Sequence, residues 1–149
     1  MSRDGKIIVY AAGTWDMFHV GHLNILKAAK ALGDILIVGV STDELVYQYK
    51  GHHPLLNYED RSAVVAACRY VDAVVPQRDI EKDEQLQKLD ADILVVGDDW
   101  WDRKVKGHDF MVKEGRRVVY FPYTEGRSSS VLRESLKRFY EEQKNQLKQ

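Results

Sequence analysis

Five short apolar runs alternate with helix-like segments along the 149 residues of the chain. Continuous apolar runs bounded by turn residues are typical of parallel strands that are buried on both faces. Strands that alternate with helices form a parallel sheet whose right-handed crossovers place helices on both faces. The pattern therefore predicts an α/β fold with a doubly wound, five-stranded parallel sheet. The predicted strands are Ile7–Ala12, Ile35–Val40, Val71–Pro76, Asp92–Gly97 and Arg117–Pro122.

The segments between these runs mostly have the periodicity of helices. Residues Ser41–Glu44 could cap a short helical turn, and a long connection is expected from Leu45 to Asn57. No repeat, low-complexity block or linker interrupts the sequence, so we expect a single Rossmann-like domain over residues 1–149, with a frayed tail at residues 143–149. The predicted helices are Leu23–Leu32, Tyr58–Arg69, Asp79–Leu89, Asp109–Lys113 and Val131–Gln143.

The turn between the first predicted strand and helix has the sequence GTWDMFHVGH, residues 13–22. A helix N-terminus presents free backbone N–H groups and the positive end of the helix dipole, which favour a bound anion. His19 and His22 lie three residues apart at the start of this helix, so both could point at one ligand. Gly21 between them allows the backbone to approach closely. The turn therefore predicts a site for nucleotide phosphates.

Two other interpretations of the histidine pair are simple helix capping and a zinc site. Zinc sites use closely spaced histidines, but no cysteine lies nearby. The candidate third ligands are Asp16, His52 and His53, and none has a characteristic spacing from the pair. Phosphate binding is therefore favoured over metal binding.

Two further polar clusters follow predicted strands. Asp98–Asp102 follows the fourth strand and Thr124–Ser130 follows the fifth. Because ligands of such sheets bind beyond the carboxyl ends of the strands, both clusters should meet the turn at residues 13–22 at one edge. Three consecutive serines, Ser128–Ser130, offer hydroxyl and N–H groups at another helix N-terminus and exceed what a single cap requires.

The composition argues against several classes of partner. The formal net charge is −1, so no overall positive field attracts nucleic acid. The sequence has no run that resembles a signal peptide or a membrane span. Cys68 is the only cysteine, which excludes an intrachain disulfide and fits a cytoplasmic protein. We therefore expect a cytoplasmic protein that binds neither nucleic acid nor membrane.

The segment His19-Val20-Gly21-His22, preceded by Gly13-Thr14-Trp15-Asp16, resembles the signature of the nucleotidyltransferase superfamily that shares its fold with class I aminoacyl-tRNA synthetases. Within it, the chain is most similar to the cytidylyltransferases, and closest to those that act on glycerol 3-phosphate. The resemblance is collinear from about Ile7 to Phe139. The motifs that carry it are Ser41–Glu44, Lys50-Gly51, Arg69–Asp72, Gly97–Trp100 and Thr124–Ser129.

The resemblance implies an enzyme that transfers CMP from CTP to a small phosphorylated alcohol and releases pyrophosphate. It implies that Mg²⁺ is carried by the nucleotide phosphates with few protein ligands, so that no metal-binding residue is assigned, and that the chain forms a homodimer. His19, His22 and Lys50 would be catalytic, with Lys50 reaching the phosphates from the long connection. The nucleotide-binding residues would be Gly13, Thr14, Trp15, Gly21, Arg69, Tyr123, Thr124, Glu125, Gly126, Arg127, Ser128, Ser129 and Ser130, and the substrate-binding residues Asp16, Lys82, Asp98, Asp99 and Trp100.

The sequence departs from the family at two positions. Tyr123 stands where the cytidylyltransferases usually have arginine, and Arg127 could replace that cation. Where the enzymes of glycerol phosphate carry a substrate-binding lysine, this chain has Asp83, with Lys82 adjacent. Two alternatives therefore stay open: a nucleotidyltransferase that uses ATP on a sugar phosphate, pantetheine phosphate or FMN, and a non-catalytic nucleotide-binding regulatory protein.

Overall fold

A computed structural model of the chain describes residues 4–97, 105–122 and 128–148. Five parallel strands form one sheet in the spatial order third, second, first, fourth, fifth. The order reverses between the first and fourth strands, which is where sheets of this kind bind ligands. The predicted Rossmann-like sheet is confirmed. Its strands are β1 (Ile8–Gly13), β2 (Ile35–Ser41), β3 (Ala73–Gln77), β4 (Ile93–Gly97) and β5 (Arg117–Phe121).

Within residues 4–97, 105–122 and 128–148, six helices connect or follow the strands, and they cover both faces of the sheet. Leu26 and Val65, from the first and third helices, pack in one core, and Leu86 and Met111, from the fourth and fifth, pack in the other. In the described part of the chain, no helix is both long enough and apolar enough to cross a bilayer. The helices are α1 (Val20–Ala31), α2 (Asp43–Lys50), α3 (Tyr58–Ala66), α4 (Asp83–Leu89), α5 (His108–Lys113) and α6 (Ser129–Leu147).

The long connection predicted from Leu45 to Asn57 is wrong, because helix α2 occupies its first half. The Oγ1 of Thr42 caps this helix by accepting a hydrogen bond from the Leu45 N–H at 3.2 Å. Gly51 ends it in the left-handed region at φ +78°, which glycine adopts without strain. Lys50 is therefore the last residue of a helix, and the connection to α3 consists of residues 51–57.

Two other helix boundaries differ from those predicted. Helix α4 begins at Asp83 rather than Asp79. Gln77 Nε2 donates to the Asp79 carbonyl and Asp79 Oδ1 accepts from the Glu81 N–H, and these bonds hold residues 79–81 in a turn. Helix α6 continues to Leu147, whereas the sequence predicted that the helix ends at Gln143 and that a frayed tail follows. Neither glycine nor proline interrupts that segment, although none of the helix's described residues is buried.

A buried arginine joins the connections at the carboxyl edge of the sheet. Arg61 of α3 is only 1% exposed. Its Nη1 donates to the carbonyl groups of Thr14 at 2.7 Å and Ser41 at 2.8 Å, just beyond β1 and at the end of β2. Its Nε donates to the Leu56 carbonyl at 2.8 Å, and its Nη2 donates to Asp43 Oδ1 at 2.6 Å. One guanidinium thus connects β2, the segment after β1, α2 and the connection at residues 51–57.

Replacing Arg61 should destabilise the fold severely. Arg61→Leu would leave three carbonyl groups and the Asp43 carboxylate without their donors, at a cost of about 3–5 kcal/mol in the free energy of unfolding. Arg116→Leu is a matched control, because Arg116 bonds the Ala91 carbonyl and Asp90 in the same way while its side chain stays 26% exposed. Urea denaturation measures both variants, and equal losses would contradict the role assigned to Arg61.

Candidate active site

A cleft of about 580 Å³ lies at the carboxyl ends of β1 and β4, where the strand order reverses. It brings together the turn after β1, the end of α2, the segment after β3 and the start of α6. The predicted site residues that line it are Gly13, Thr14, Trp15, Asp16, His19, Gly21, His22, Lys50, Lys82, Ser128, Ser129 and Ser130.

The remaining predicted site residues fall into two groups. Asp98, Asp99 and Trp100, and the segment Tyr123–Arg127, lie outside the described residues. Arg69 is described, but it lies on a separate exposed groove, where its guanidinium donates to the Tyr70 hydroxyl at 2.9 Å. The structure thus does not bring Arg69 to this cleft.

His19 and His22 hold each other at the start of α1. His19 is the N-cap, and its Nδ1 accepts a hydrogen bond from the Gly21 N–H at 3.0 Å. The Nδ1 of His22 accepts one from the His19 N–H at 3.1 Å, which completes a reciprocal capping box. The two ring centroids are 4.0 Å apart. Helix capping uses only the Nδ1 atom of each ring. It therefore does not exclude ligand binding, because each ring also has an Nε2 atom.

The capping bonds determine where the protons of these rings lie. A neutral imidazole whose Nδ1 accepts a hydrogen bond carries its proton on Nε2 and donates from there. Burial, together with the charges of His19 and Lys50 and against the opposing effect of Asp16, lowers the pKa of His22 to about 4. His22 is therefore neutral near pH 7, with one N–H donor available on the side away from the helix backbone.

The turn before α1 has an unusual backbone. Trp15 and Met17 both have positive φ, at 60° and 47°, a conformation that side chains rarely adopt. The Trp15 indole is 5% exposed and donates to the Gly39 carbonyl on β2 at 3.1 Å. The free energy gained by burying this ring offsets the cost of the strained backbone. The anchored ring also fixes the direction in which the chain continues to His19.

Asp16 fixes the same turn rather than presenting a free carboxylate. It is 4% exposed, and its oxygens accept hydrogen bonds from the N–H groups of Met17, Leu55 and Leu56 at 3.1, 2.7 and 3.0 Å. The carboxylate thus ties the connection at residues 51–57 to the signature turn. The contact between Asp16 and substrate stays a prediction.

The three serines have separate functions in the structure. Ser128 is the N-cap of α6, with its Oγ accepting from the Val131 N–H at 3.1 Å. Ser129 Oγ donates to the Asp16 carbonyl at 2.5 Å, which joins α6 directly to the turn after β1. Ser130 lines the cleft. The N-termini of α1 and α6 therefore border the same cavity.

Arg133 and Tyr49 are among the cleft residues that were not predicted from the sequence. Arg133 lies one helical turn after Ser129 and donates from Nε to its carbonyl at 3.4 Å, so a spacing of four residues from the serines could have indicated it. The Tyr49 hydroxyl is 2.6 Å from Thr14 Oγ1. Tyr49 could not be placed because the sequence reasoning treated α2 as part of a long connection.

Lys82 lies at another part of the cleft wall, after β3, among Gln77, Asp79 and Ile80. It is 8% exposed, and burial lowers the pKa of its ammonium group. Its Nζ donates to the Ile80 carbonyl at 3.3 Å. A buried ammonium that borders a cavity is suited to pairing with an anionic group there.

The chain is similar in sequence and in fold to known proteins. A family model described as cytidylyltransferase-like matches residues 10–135. The glycerol-3-phosphate cytidylyltransferase of Bacillus spizizenii is 42% identical, over 88% of this chain and 96% of that protein. The protein of the same name from Bacillus subtilis is 40% identical over the same shares. A lipopolysaccharide core biosynthesis protein from Thermoplasma volcanium, solved by crystallography, superposes with a TM-score of 0.65 at 27% identity, over 80% of this chain and 98% of that one.

The low pKa of His22 predicts a pH dependence of stability. Its unfolded value is near 6.5 and its folded value about 4, so between these pH values only the unfolded chain takes up the proton. Above pH 6.5 the ring is neutral in both states and does not change the free energy of unfolding. As the pH decreases from 6.5 toward 4, protonation of the unfolded chain lowers the free energy of unfolding. Titration of the ring nitrogens by NMR should show His22 protonating near pH 4 and carrying its proton on Nε2 above it. Protonation near pH 6.5 would contradict the arrangement.

Proposed function

We propose that this chain, which belongs to the cytidylyltransferase-like family, transfers CMP from CTP to glycerol 3-phosphate and releases pyrophosphate. Family membership makes the chain a nucleotidyltransferase, and relatives that carry the glycerol-3-phosphate name match nearly its whole length. The observation that carries the proposal is the capping box. It turns the Nδ1 atoms of His19 and His22 to the helix backbone, so the Nε2 atoms lie on the opposite edges of two rings that line a cleft bordered by two helix N-termini.

In the proposed reaction, an oxygen of the acceptor phosphate attacks the α-phosphorus of CTP. A new P–O bond forms, the bond from the α-phosphorus to the bridging oxygen breaks, and pyrophosphate leaves with the bond electrons. Such transfers depend on positioning and on donors aimed at the charge that develops on the phosphate oxygens. The Nε2–H groups of His19 and His22 are proposed as those donors.

The remaining phosphates of CTP are assigned to the cations and the helix end around the histidines. Lys50 at the end of α2 and Arg133 on α6 both line the cleft, as does Ser130 at the N-terminus of α6. Backbone N–H groups at that terminus and the two cations suit the β- and γ-phosphates. Arg133 provides a cation on the nucleotide side although Tyr123 replaces the family's usual arginine.

The acceptor phosphate is assigned to Lys82. Its buried ammonium borders the cleft beyond β3 and accompanies the polar side chains of Gln77 and Asp79. In-line displacement requires the acceptor and the pyrophosphate to lie on opposite sides of the α-phosphorus, so the acceptor phosphate needs a cation separate from those assigned to the β- and γ-phosphates. The position of Lys82, one residue before Asp83, supports glycerol 3-phosphate as an acceptor despite the departure in sequence.

Mg²⁺ is proposed to enter the cleft with CTP. The described lining residues offer mainly donors for anions, and the carboxylate of Asp16 already accepts three backbone N–H bonds. This set suits a metal whose ligands are phosphate oxygens and water, which Mg²⁺ accepts readily, and the ion would neutralise phosphate charge.

Assembly and location are proposed as a homodimer in the cytoplasm. The exposed apolar groove beside Arg69, formed by Phe18, Leu23, Val64 and Cys68, supports a partner subunit at that face. A net charge of −1 supports small-molecule substrates over nucleic acid.

Pyrophosphate release from CTP and glycerol 3-phosphate tests the reaction. His19→Asn and His22→Asn keep an acceptor near the Nδ1 position but lack the Nε2 donor, so kcat should fall by about two orders of magnitude with the fold retained. His22→Gln is the matched control, since its amide N–H reaches toward the Nε2 position, and it should keep more activity than His22→Asn. Wild-type protein that binds CTP but turns over with no phosphorylated acceptor would refute the proposal.

Lys82→Met should raise KM for glycerol 3-phosphate about tenfold or more and change KM for CTP little, because a charge-assisted contact to one substrate is lost. Lys88→Met is the control, since Lys88 is an exposed residue of α4, the helix that follows Lys82. Initial-rate kinetics with each substrate varied in turn separates the two constants. An equal rise in both KM values would contradict the assignment of Lys82 to the acceptor.

A further inference from the structure

Tyr10 on β1 is a fully buried tyrosine that the proposed mechanism does not use. It is 0% exposed, and its ring lies in the core that packs against α4 and α5. Its hydroxyl lies directly beside Gly39 of the neighbouring strand, where a Cβ atom would be 1.9 Å from the oxygen. Gly39 therefore creates the space that admits a polar group between β1 and β2.

The Tyr10 hydroxyl donates a hydrogen bond to Gln77 Oε1 at the end of β3. Burial raises the pKa of Tyr10 well above its ordinary value, so the hydroxyl keeps its proton and remains a donor. An interaction with the side chain of Gln85 in α4 opposes part of this shift in pKa. The hydroxyl thus bonds to a residue just before the segment at residues 78–82.

Gln77 connects the Tyr10 hydroxyl to the backbone of the cleft wall. Its Oε1 accepts from Tyr10, so its Nε2 is directed to the Asp79 carbonyl, at 2.6 Å. Gln77 is itself 3% exposed and borders the cleft. On the other side of the segment, Gln85 Nε2 donates to the Pro76 carbonyl at 3.3 Å.

The segment held in this way carries Lys82, whose placement depends on the backbone before it. Asp79 Oδ1 accepts from the Glu81 N–H at 3.2 Å, and Lys82 Nζ contacts the Ile80 carbonyl. The aliphatic stem of Lys82 packs against Gly107, where a Cβ atom would lie 3.3 Å from Lys82 Cβ. A shift of the Asp79 carbonyl would therefore move the ammonium group relative to the cleft.

We propose that Tyr10 is a positioning residue for the acceptor side of the cleft, acting through Gln77 and Asp79 to hold the segment of Lys82. The assignment of that side to the phosphorylated acceptor rests on the proposed function. The nucleotide side is held by different contacts, namely the capping box, Asp16 and Arg61, so loss of the Tyr10 hydroxyl should affect one substrate and not the other.

Tyr10→Phe removes only the hydroxyl. Loss of this buried bond should raise KM for glycerol 3-phosphate about five- to tenfold, with KM for CTP unchanged within twofold. Tyr120→Phe is the matched control, because Tyr120 packs at the edge of the same core but does not line the cleft. Equal changes in both KM values, or no change in either, would overturn the proposal.

The double variant Tyr10→Phe/Gln77→Leu separates positioning from stability. Replacing both partners of a buried hydrogen bond by apolar groups can restore stability that single replacement loses. Because Gln77→Leu also removes the hydrogen bond from Gln77 to the Asp79 carbonyl, we expect recovery of the melting temperature without recovery of the acceptor KM. Recovery of both would show that Tyr10 has only a structural role. The double variant also decides the question if Tyr10→Phe alone does not fold.

Hydrogen–deuterium exchange tests the proposal without the reaction. Amides of residues 78–82 should exchange faster in Tyr10→Phe than in wild type or Tyr120→Phe, while amides of α1 keep their protection. Unchanged exchange at residues 78–82 would overturn the positioning role. Absence of turnover by wild-type protein would count against the proposed function alone, because the exchange result does not depend on it.

Discussion

The buried guanidinium of Arg61 is the interaction on which the carboxyl edge of the sheet depends. Backbone carbonyl groups beyond parallel strands have no ladder partner, and here the planar fork of one arginine satisfies those of Thr14, Ser41 and Leu56. The Asp43 carboxylate compensates the buried charge. Since Asp43 begins α2 and Lys50 ends it, the same contact orients the helix that brings a lysine to the cleft.

The histidine pair shows how one set of side chains can determine both structure and chemistry. A serine or aspartate N-cap uses its oxygen for the helix, whereas an imidazole has a second nitrogen on the opposite edge of the ring. In His19 and His22 the inner nitrogens accept hydrogen bonds from backbone N–H groups, and the outer nitrogens lie on the opposite edge of each ring. Rings fixed by such bonds meet the condition for preorganised stabilisation of charge, which is the role that we propose for them.

The sheet, the signature turn and the serines could be predicted because each has a strong local pattern. Continuous apolar runs identify buried strands, and parallel strands necessarily bring their carboxyl ends to one edge. Helix α2 was missed because only Leu45 and Val46 among its residues are buried, which leaves little periodicity. The functions of Arg61, Asp16 and Tyr10 arise from partners 18 to 67 residues away, and no local pattern encodes such contacts.

Helix α6 is attached to the domain mainly through its first turn, where Ser129 bonds to the Asp16 carbonyl. Its later turns bury no side chain, so their hydrogen bonds open to solvent without any loss of core contacts. Unwinding can therefore begin at Leu147 and proceed toward Ser129 while the cavity remains intact. Proteolytic trimming of this end should stop short of Ser129, where cutting would begin to dismantle the cavity itself.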